Sequence, residues 1–212
     1  VGKSEQMREL YDGKSAAERM AERRARLIDA GFVLFGERGY ADTSIRAILH
    51  QSGLRDRYFG ESFADLDSLL AAVYEQLVNE EIAACRAAID ATSGGSQGAR
   101  AMIDCLTRSL QGSPGRARIK LREVISAGPV SRKTRQEGIY GLAKLVAELL
   151  PPAPQVSSRD RLLLAVGVVA AADEYLLAWI NQERRVSRQN VVDLVTLVFD
   201  SISARLTASA AR

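Results

Sequence analysis

The chain has 212 residues, of which 47% are hydrophobic and 26% are charged, a composition that excludes extended disorder and is typical of a soluble globular protein. The formal net charge of +3 at pH 7 permits a polyanionic partner without requiring one. The longest apolar run, 162–172, is about half the ~18 residues that a transmembrane helix needs, so we expect no membrane partner.

Cysteine and histidine usage limits the chemistry that the chain can perform. Cys85 and Cys105 lie in apolar helical patterns without paired spacing, which favours buried thiols in a reducing compartment. The sequence opens with no apolar signal region, so we expect a cytoplasmic location. The single histidine, His50, leaves no metal-ligand cluster and no Ser-His-Asp arrangement. We therefore expect no catalytic site, no metal and no cofactor.

The N-terminal third of the chain predicts three helices. Apolar residues recur at helical spacing over 16–38, and Gly39 stands at the position of a C-terminal cap. Thr43 is predicted to cap a short second helix, which Ser52-Gly53 ends. Beyond this turn, Phe59 and Phe63 have the i,i+4 spacing of inward anchors on a third helix.

Three short helices with a glycine turn between the second and third match a helix-turn-helix over about 43–63. In this plan the third helix enters the major groove of DNA, where arginine pairs with guanine, and hydroxyl groups bind phosphates. The predicted DNA-binding residues are Thr43, Ser44, Arg55, Asp56, Arg57, Tyr58, Gly60, Glu61 and Ser62.

The remaining chain predicts six further helices. Asp65 is expected to cap a long helix that the Gly/Ser segment 92–96 ends. The other five are predicted over 97–110, 115–127, 130–150, 157–183 and 187–207. The expected fold is all-α with about nine helices: a helix-turn-helix domain over 1–64, including an N-terminal extension over 1–17, and a helical ligand-sensing and dimerisation domain over 65–212.

Residues 30–48 resemble the N-terminal signature of the tetracycline-repressor (TetR) family of regulators, in the pattern Ala30-x-x-x-Leu34-Phe35-x-x-x-Gly39-Tyr40-x-x-Thr43-Ser44-x-x-x-Ile48. The resemblance extends over 24–74, and 174–179 resembles the penultimate helix of many members. The chain departs from the family at Gly60 and Glu61, where two aromatic residues are frequent, and at Ala64, where lysine is frequent. These departures place particular DNA contacts in question.

The resemblance implies a homodimer that binds a palindromic operator in double-stranded DNA and is released by a small-molecule ligand. It implies that the last two helices form the dimer interface, because they present more than one apolar stripe. The interface residues expected there are Leu162, Val166, Val169, Leu176, Val191, Leu194, Val195 and Val198.

The effector is expected to be largely apolar, because pockets in helical domains combine apolar walls with a few polar groups. Candidate lining residues, although each taken alone fits ordinary core better, are Met102, Cys105, Ile125, Tyr140, Tyr175 and Trp179. Two alternatives remain open on the residues alone: a helical ligand-binding protein or enzyme, and a protein-interaction module. The basic residues at 19, 23, 24 and 26, with Lys3, Arg8 and Lys14 upstream, fit either DNA contacts or solvated surface.

Overall fold

The computed structural model describes residues 15–182 and 185–210, and within these ranges the chain forms nine helices and no strand. In chain order they are α1 Ala16–Glu37, α2 Ile45–Ser52, α3 Arg57–Ser62, α4 Leu66–Asp90, α5 Gly95–Gly112, α6 (consecutive segments Pro114–Arg118, Ile119–Glu123 and Val124–Ser126), α7 Pro129–Leu149, α8 Ser158–Ile180 and α9 Arg188–Ala210. The predicted all-α architecture is confirmed. Lys3, Arg8 and Lys14 lie outside the described residues.

The start of α2 corrects one prediction. Ser44, not Thr43, is the N-cap, since its hydroxyl oxygen accepts a hydrogen bond from the Ala47 N–H at 3.2 Å. The Thr43 hydroxyl is committed elsewhere, because it donates to the Gly39 carbonyl at 2.7 Å. Thr43 therefore closes the turn after α1, and the neighbouring serine satisfies the free N–H groups of α2.

Two large buried apolar clusters and a small third one, formed by Tyr74, Val78 and Val124, fill the described structure, and α4 contributes to all three. The N-terminal cluster joins α1, α2 and α3 to the first half of α4, and it also takes in Ile119 and Ala127 from the α6 region. The C-terminal cluster begins at Cys85, near the end of α4, and continues through α5 to α9. The 25-residue helix α4 is thus the continuous element between the two clusters.

Helix α6 contains a feature that the sequence pattern did not predict. Its middle segment, Ile119–Glu123, is π-helical, a rare geometry that often occurs at functional sites. Arg118 donates to the carbonyl oxygens of Glu37 and Arg38 at 2.8 and 2.9 Å, and it pairs with Glu123 at 2.8 Å. Glu123 in turn accepts from the Tyr40 N–H at 2.7 Å. These contacts fasten α6 to the C-terminal end of α1.

The start of α4 is fastened to α7 by the carboxylate of Asp67. Its two oxygens accept from the N–H groups of Val130 and Ser131 at 2.9 and 3.1 Å. Burial alone would raise the pKa of Asp67, but the hydrogen bonds from Ser131 and Val130 outweigh it and lower the pKa. The carboxylate therefore stays ionised and acts as the N-terminal cap of α7.

Close backbone approach between α1 and α6 generates a stability prediction. A Cβ at Gly36 would lie 2.9 Å from the Cα of Gly115, whereas a Cβ at Gly112 would meet nothing within 4 Å. We expect Gly36→Ala to lower the free energy of unfolding by about 1–3 kcal/mol, because it overpacks this crossing. Gly112→Ala should leave the value unchanged or raise it by up to about 1 kcal/mol. Urea denaturation measures both free energies of unfolding. Equal effects of the two substitutions would contradict the close approach of Gly36 to Gly115.

Candidate nucleic-acid interface and ligand cavity

Helix α3 is held on the N-terminal cluster by two aromatic side chains. Phe59 and Phe63 are buried with their ring centroids 6.0 Å apart, as their i,i+4 spacing predicts. The turn before α3 depends on Gly53, whose φ of +65° is left-handed and ends α2. The backbone N–H of Leu54 returns to the Leu49 carbonyl at 3.1 Å, which closes the turn. Helix α3 thus projects as a short element after a tight turn.

The predicted DNA-binding residues are placed at the start of α2, in the turn before α3, and on α3 itself. Thr43 is buried, and Tyr58 and Ser62 are half-buried. The exposed members are Ser44, Arg55, Asp56, Arg57, Gly60 and Glu61. Gly60 faces open space, since a Cβ there would meet nothing within 4 Å.

Tyr58 lies between two guanidinium groups. Arg23 of α1 and Arg57 stack on its ring, 4.5 and 4.7 Å from the centroid. Arg57 also donates a hydrogen bond to the Tyr58 hydroxyl at 2.7 Å, which lowers the pKa of the phenol and raises that of the guanidinium. This arrangement presents an aromatic ring and an arginine together at the surface of α3.

The basic residues of α1 have a role that neither sequence interpretation anticipated. Arg23 forms an ion pair with Glu61 at 3.2 Å, and Arg24 stacks on the Phe63 ring at 4.8 Å. Arg26 donates to the carbonyl oxygens of Ser52 and Gly53 at the end of α2. These side chains position α3 and the turn before it. The Arg23 pair also offsets the negative charge of Glu61, which would otherwise repel a polyanion.

The second site is an apolar cavity of about 30 Å³ inside the C-terminal cluster, named here the inner cavity. Its walls come from α5, α7, α8 and α9, and twelve of its fourteen lining residues are apolar. The two exceptions are Lys120 of α6 and Asp173 of α8.

Only Met102 of the six residues proposed to line a ligand pocket lies in the inner cavity. Cys105 lines a separate pocket between α4, α5 and α6, and Trp179 lines an open cleft of about 620 Å³ beside α1 and α6. Ile125 is 47% exposed. Tyr140 and Tyr175 are half-buried outside these linings. The structure therefore does not bring the six together.

Two ion pairs lie beside the inner cavity. Lys120 donates to Glu81 of α4, and both side chains are buried, with exposed fractions of 7% and 3%. Asp173 accepts from Arg135 at 2.9 Å, and burial raises the pKa of its carboxyl group. The sequence analysis missed these residues. Asp173 offered a signal, because this charged residue directly follows the apolar run 162–172, whereas Lys120 offered none, because Arg118 and Arg122 stand beside it in the sequence.

The eight residues proposed for a dimer interface divide into two sets. Val169, Leu176, Val191 and Val195 are buried within the protomer, because they face the C-terminal cluster from the inner sides of α8 and α9. These four belong to the protomer core. Leu194 is exposed, and the other three of the set, Leu162, Val166 and Val198, are half-buried. Beside them, Leu163 and Leu197 are 48% and 60% exposed.

Within the described chain, α8 has the length and mean hydropathy (1.8) of a possible membrane span, a test that a core helix of a soluble protein also passes. Only 28% of its most apolar window is buried within the protomer. Helix α8 therefore carries apolar surface that its own protomer leaves uncovered.

No protein-family model matches the chain, and no curated protein is significantly similar to it in sequence. Solved structures do match. The fatty acid degradation regulator FadR from Bacillus halodurans has a TM-score of 0.69 at 16% identity, over 84% of this chain and 94% of that one. FadR from Bacillus subtilis, solved with stearoyl-CoA, gives 0.67 at 16% identity, over 85% and 97% of the two chains. A TetR-family transcriptional regulator from Pectobacterium atrosepticum gives 0.64 at 24% identity, over 91% and 97%. The chain therefore has the fold of TetR-family regulators, as its N-terminal resemblance implies.

The contacts of Arg23 generate a prediction about the order of α3. We expect Arg23→Ala to accelerate amide exchange over residues 57–63 by roughly two- to ten-fold, because the stacking on Tyr58 and the pair with Glu61 are lost together. Hydrogen–deuterium exchange measures this rate. Arg86→Ala removes an exposed ion pair with Glu148 between α4 and α7 and serves as the matched control. Equal protection of α3 in both variants would contradict the positioning role.

Proposed function

We propose that the protein is a sequence-specific DNA-binding transcriptional regulator whose operator affinity is lowered by a small molecule bound in the C-terminal helices. The observation that carries the proposal is the surface of α3, where Arg57 and Tyr58 are presented together on a helix anchored by Phe59 and Phe63. Arginine reads guanine in the major groove, and tyrosine and serine hydroxyls bind phosphates. The TetR fold supports this assignment, since the solved structures that share it are described as regulators and not as enzymes.

Phosphate binding is assigned to the start of α2 and to the turn before α3. Helix α2 begins at Ile45, and its first N–H groups, with the Ser44 hydroxyl, form an anion-binding end. Arg55 is exposed in the turn. Asp56 and Glu61 oppose a polyanion, although the pair with Arg23 reduces the effect of Glu61. We assign DNA binding to residues 1–64 and ligand sensing to residues 65–212, in a cytoplasmic protein.

The uncovered apolar surface of α8 and α9 supports a homodimer. Leu163, Leu194 and Leu197 are exposed leucines on these two helices. Large apolar side chains that are exposed on neighbouring helices are a feature of protein–protein interfaces. Two subunits related by a twofold axis would place two α3 helices on successive major grooves, roughly 34–36 Å apart, and would read a palindromic operator in double-stranded DNA.

We infer that a ligand relieves repression, because α4 and α6 link the N-terminal cluster to the C-terminal cluster. Helices α4 and α6 line or flank the inner cavity, and both contact the helices that position α3. A ligand that favours one arrangement of α4 and α6 shifts the population away from the DNA-competent spacing. One protein of the same fold, FadR from Bacillus subtilis, was solved with stearoyl-CoA, and a largely apolar effector suits the inner cavity of this chain.

DNA binding tests the proposal directly. Fluorescence anisotropy with duplex DNA from upstream of the protein's own coding region should show saturable, competitor-resistant binding that weakens steeply between two salt concentrations. Arg57→Ala combined with Tyr58→Ala should lower the affinity by at least roughly 100-fold, because a base contact and a phosphate contact are lost in each subunit. The charge-matched control is Lys133→Ala, on an exposed lysine of α7. If that control weakens binding as much as the α3 variant does, α3 is not the recognition element.

The dimer interface is tested by placing a charge on its exposed apolar surface. Leu197→Glu should convert the dimer to monomers in sedimentation velocity at micromolar concentration, because the carboxylate would be buried without a partner. Ile125→Glu is the matched control, since Ile125 is a comparably exposed apolar residue on α6. A dimer that survives Leu197→Glu, or dissociates equally with Ile125→Glu, would rule out α8 and α9 as the interface.

A further inference from the structure

The inner cavity has one buried cation with unused hydrogen-bonding capacity. The Lys120 side chain is 7% exposed and lines the cavity, and within the described part of the chain its hydrogen-bond partner is Glu81 alone. An ammonium group has three donors, so Lys120 can donate to further acceptors besides Glu81. The Oε1 atom of Glu81 is also buried without a hydrogen bond, although Arg116 lies 3.9 Å from it as an ion-pair partner. A buried ionic group that is incompletely satisfied is costly, and a ligand that supplies acceptors would remove part of that cost.

The cavity is polar at one end and apolar along the rest of its length. Lys120 and Asp173 lie with Leu106 and Leu176 at the end towards α6. On α5, the lining continues from Leu106 back to Ala99, which corresponds to about 10 Å along the helix axis. All of the lining beyond the two charged residues is apolar. This shape fits an elongated apolar molecule that carries a single polar group at one end.

The charges around the polar end favour an anion. Glu81, the counterion of Lys120, is not among the lining residues, whereas Lys120 is. The carboxylate that does line the cavity, Asp173, is already paired with Arg135, and burial raises its pKa so that it takes up a proton more readily. One turn further along α5 and α8, Leu110 and Ile180 line the open cleft, whose charged lining residues in the described chain are Arg118 and Arg122. The charged side chains that line this neighbouring cleft are therefore positive.

We propose that the inner cavity binds an elongated monocarboxylate, with its apolar chain between α5, α8 and α9 and its carboxylate accepting hydrogen bonds from Lys120. The cavity volume of about 30 Å³ holds one or two waters, so the chain enters by separating the apolar walls, one of which is the flexible Met102. The claim that this ligand is the effector rests on the proposed function. The claim that the cavity binds such a ligand rests on the cavity alone.

The same contact gives the ligand a route to the DNA-binding helices. A carboxylate at Lys120 competes with Glu81, and Glu81 is the residue through which α4 holds the π-helical segment of α6. Two residues before Lys120, Arg118 holds the end of α1. The charge of the bound carboxylate therefore weakens the attraction between Lys120 and Glu81 and loosens α6 from α4 at the segment that also contacts the N-terminal cluster.

Three ligands with the same chain and different end groups test the assignment: decanoate, decanol and decylammonium, each below its micelle concentration at pH 7.5. Isothermal titration of the full chain should show decanoate binding roughly 10- to 100-fold more tightly than decanol, as expected for hydrogen bonds to a charged group. Decylammonium should bind more weakly than decanol. Equal affinities for decanoate and decanol, tighter binding of decylammonium, or no heat with any of the three would each overturn the proposal.

Variants of the ion pair separate recognition from folding. The double variant that carries both Lys120→Met and Glu81→Gln leaves neither member of the pair as an unpaired buried charge. In this variant, decanoate affinity should fall to that of decanol, while decanol affinity stays unchanged. Glu81→Gln alone should raise decanoate affinity, because the competing carboxylate is removed. The control is Lys133→Met with Glu137→Gln, which alters an exposed pair on α7 and should change neither affinity. Decanoate affinity that survives the loss of Lys120 would assign the carboxylate to another residue.

A parallel DNA titration keeps the two proposals apart. Salt-dependent DNA binding by a protein that gives no heat with decanoate would retain the regulator and reject the cavity assignment. Decanoate binding through Lys120 in a protein that binds no DNA would retain the cavity and reject the regulator. With both proposals correct, saturating decanoate lowers DNA affinity in the native chain and leaves it unchanged in the variant that lacks the ion pair.

Discussion

The buried ion pair between Lys120 and Glu81 joins α6 to α4 in the middle of the molecule. A buried pair contributes little net stability, because desolvation of the two charges offsets their attraction, but loss of one partner leaves a costly unpaired charge. The pair therefore acts mainly as a constraint on position, because α4 and α6 keep a fixed relative position as long as the two charges stay paired. Arg118 and Glu123 extend that constraint to α1, and Asp67 extends it to α7.

The position of α3 follows from this framework. Helix α3 has six residues, too few to be stable alone, and it depends on Phe59, Phe63 and the arginines of α1. Since α1 is itself held by α6, packed helices and hydrogen bonds connect Lys120 to α3. A coupling free energy of about 1–3 kcal/mol, typical of allosteric proteins, is of the same order as the loss of one such contact.

The number and type of the helices could be predicted from the sequence, because apolar periodicity and caps are local signals. The first helix was predicted over 16–38 and observed over Ala16–Glu37, with its inward residues Leu27 and Phe35 fully buried. The ligand-lining residues could not be predicted in the same way. Helical rotation decides that Met102 faces the inner cavity and Cys105 faces α4, and no local pattern fixes that rotation. The π-helical segment of α6 was likewise not predicted, and two of the residues in or next to it, Lys120 and Arg118, make tertiary contacts that no local pattern indicates.

Helices α8 and α9 show why the predicted interface residues divided into two sets. Both helices are apolar on more than one side, and a sequence pattern alone does not distinguish the side that faces the protomer core from the side that faces a partner. In the structure, Val169, Leu176 and Val195 form walls of the inner cavity, while Leu163 and Leu197 lie on the outer surface of the same two helices. A ligand that separates the cavity walls must therefore move the helices that carry the proposed dimer surface. Because packed helices shift as rigid units, expansion of the cavity would, in the proposed dimer, alter the relation between the two subunits and with it the distance between their α3 helices.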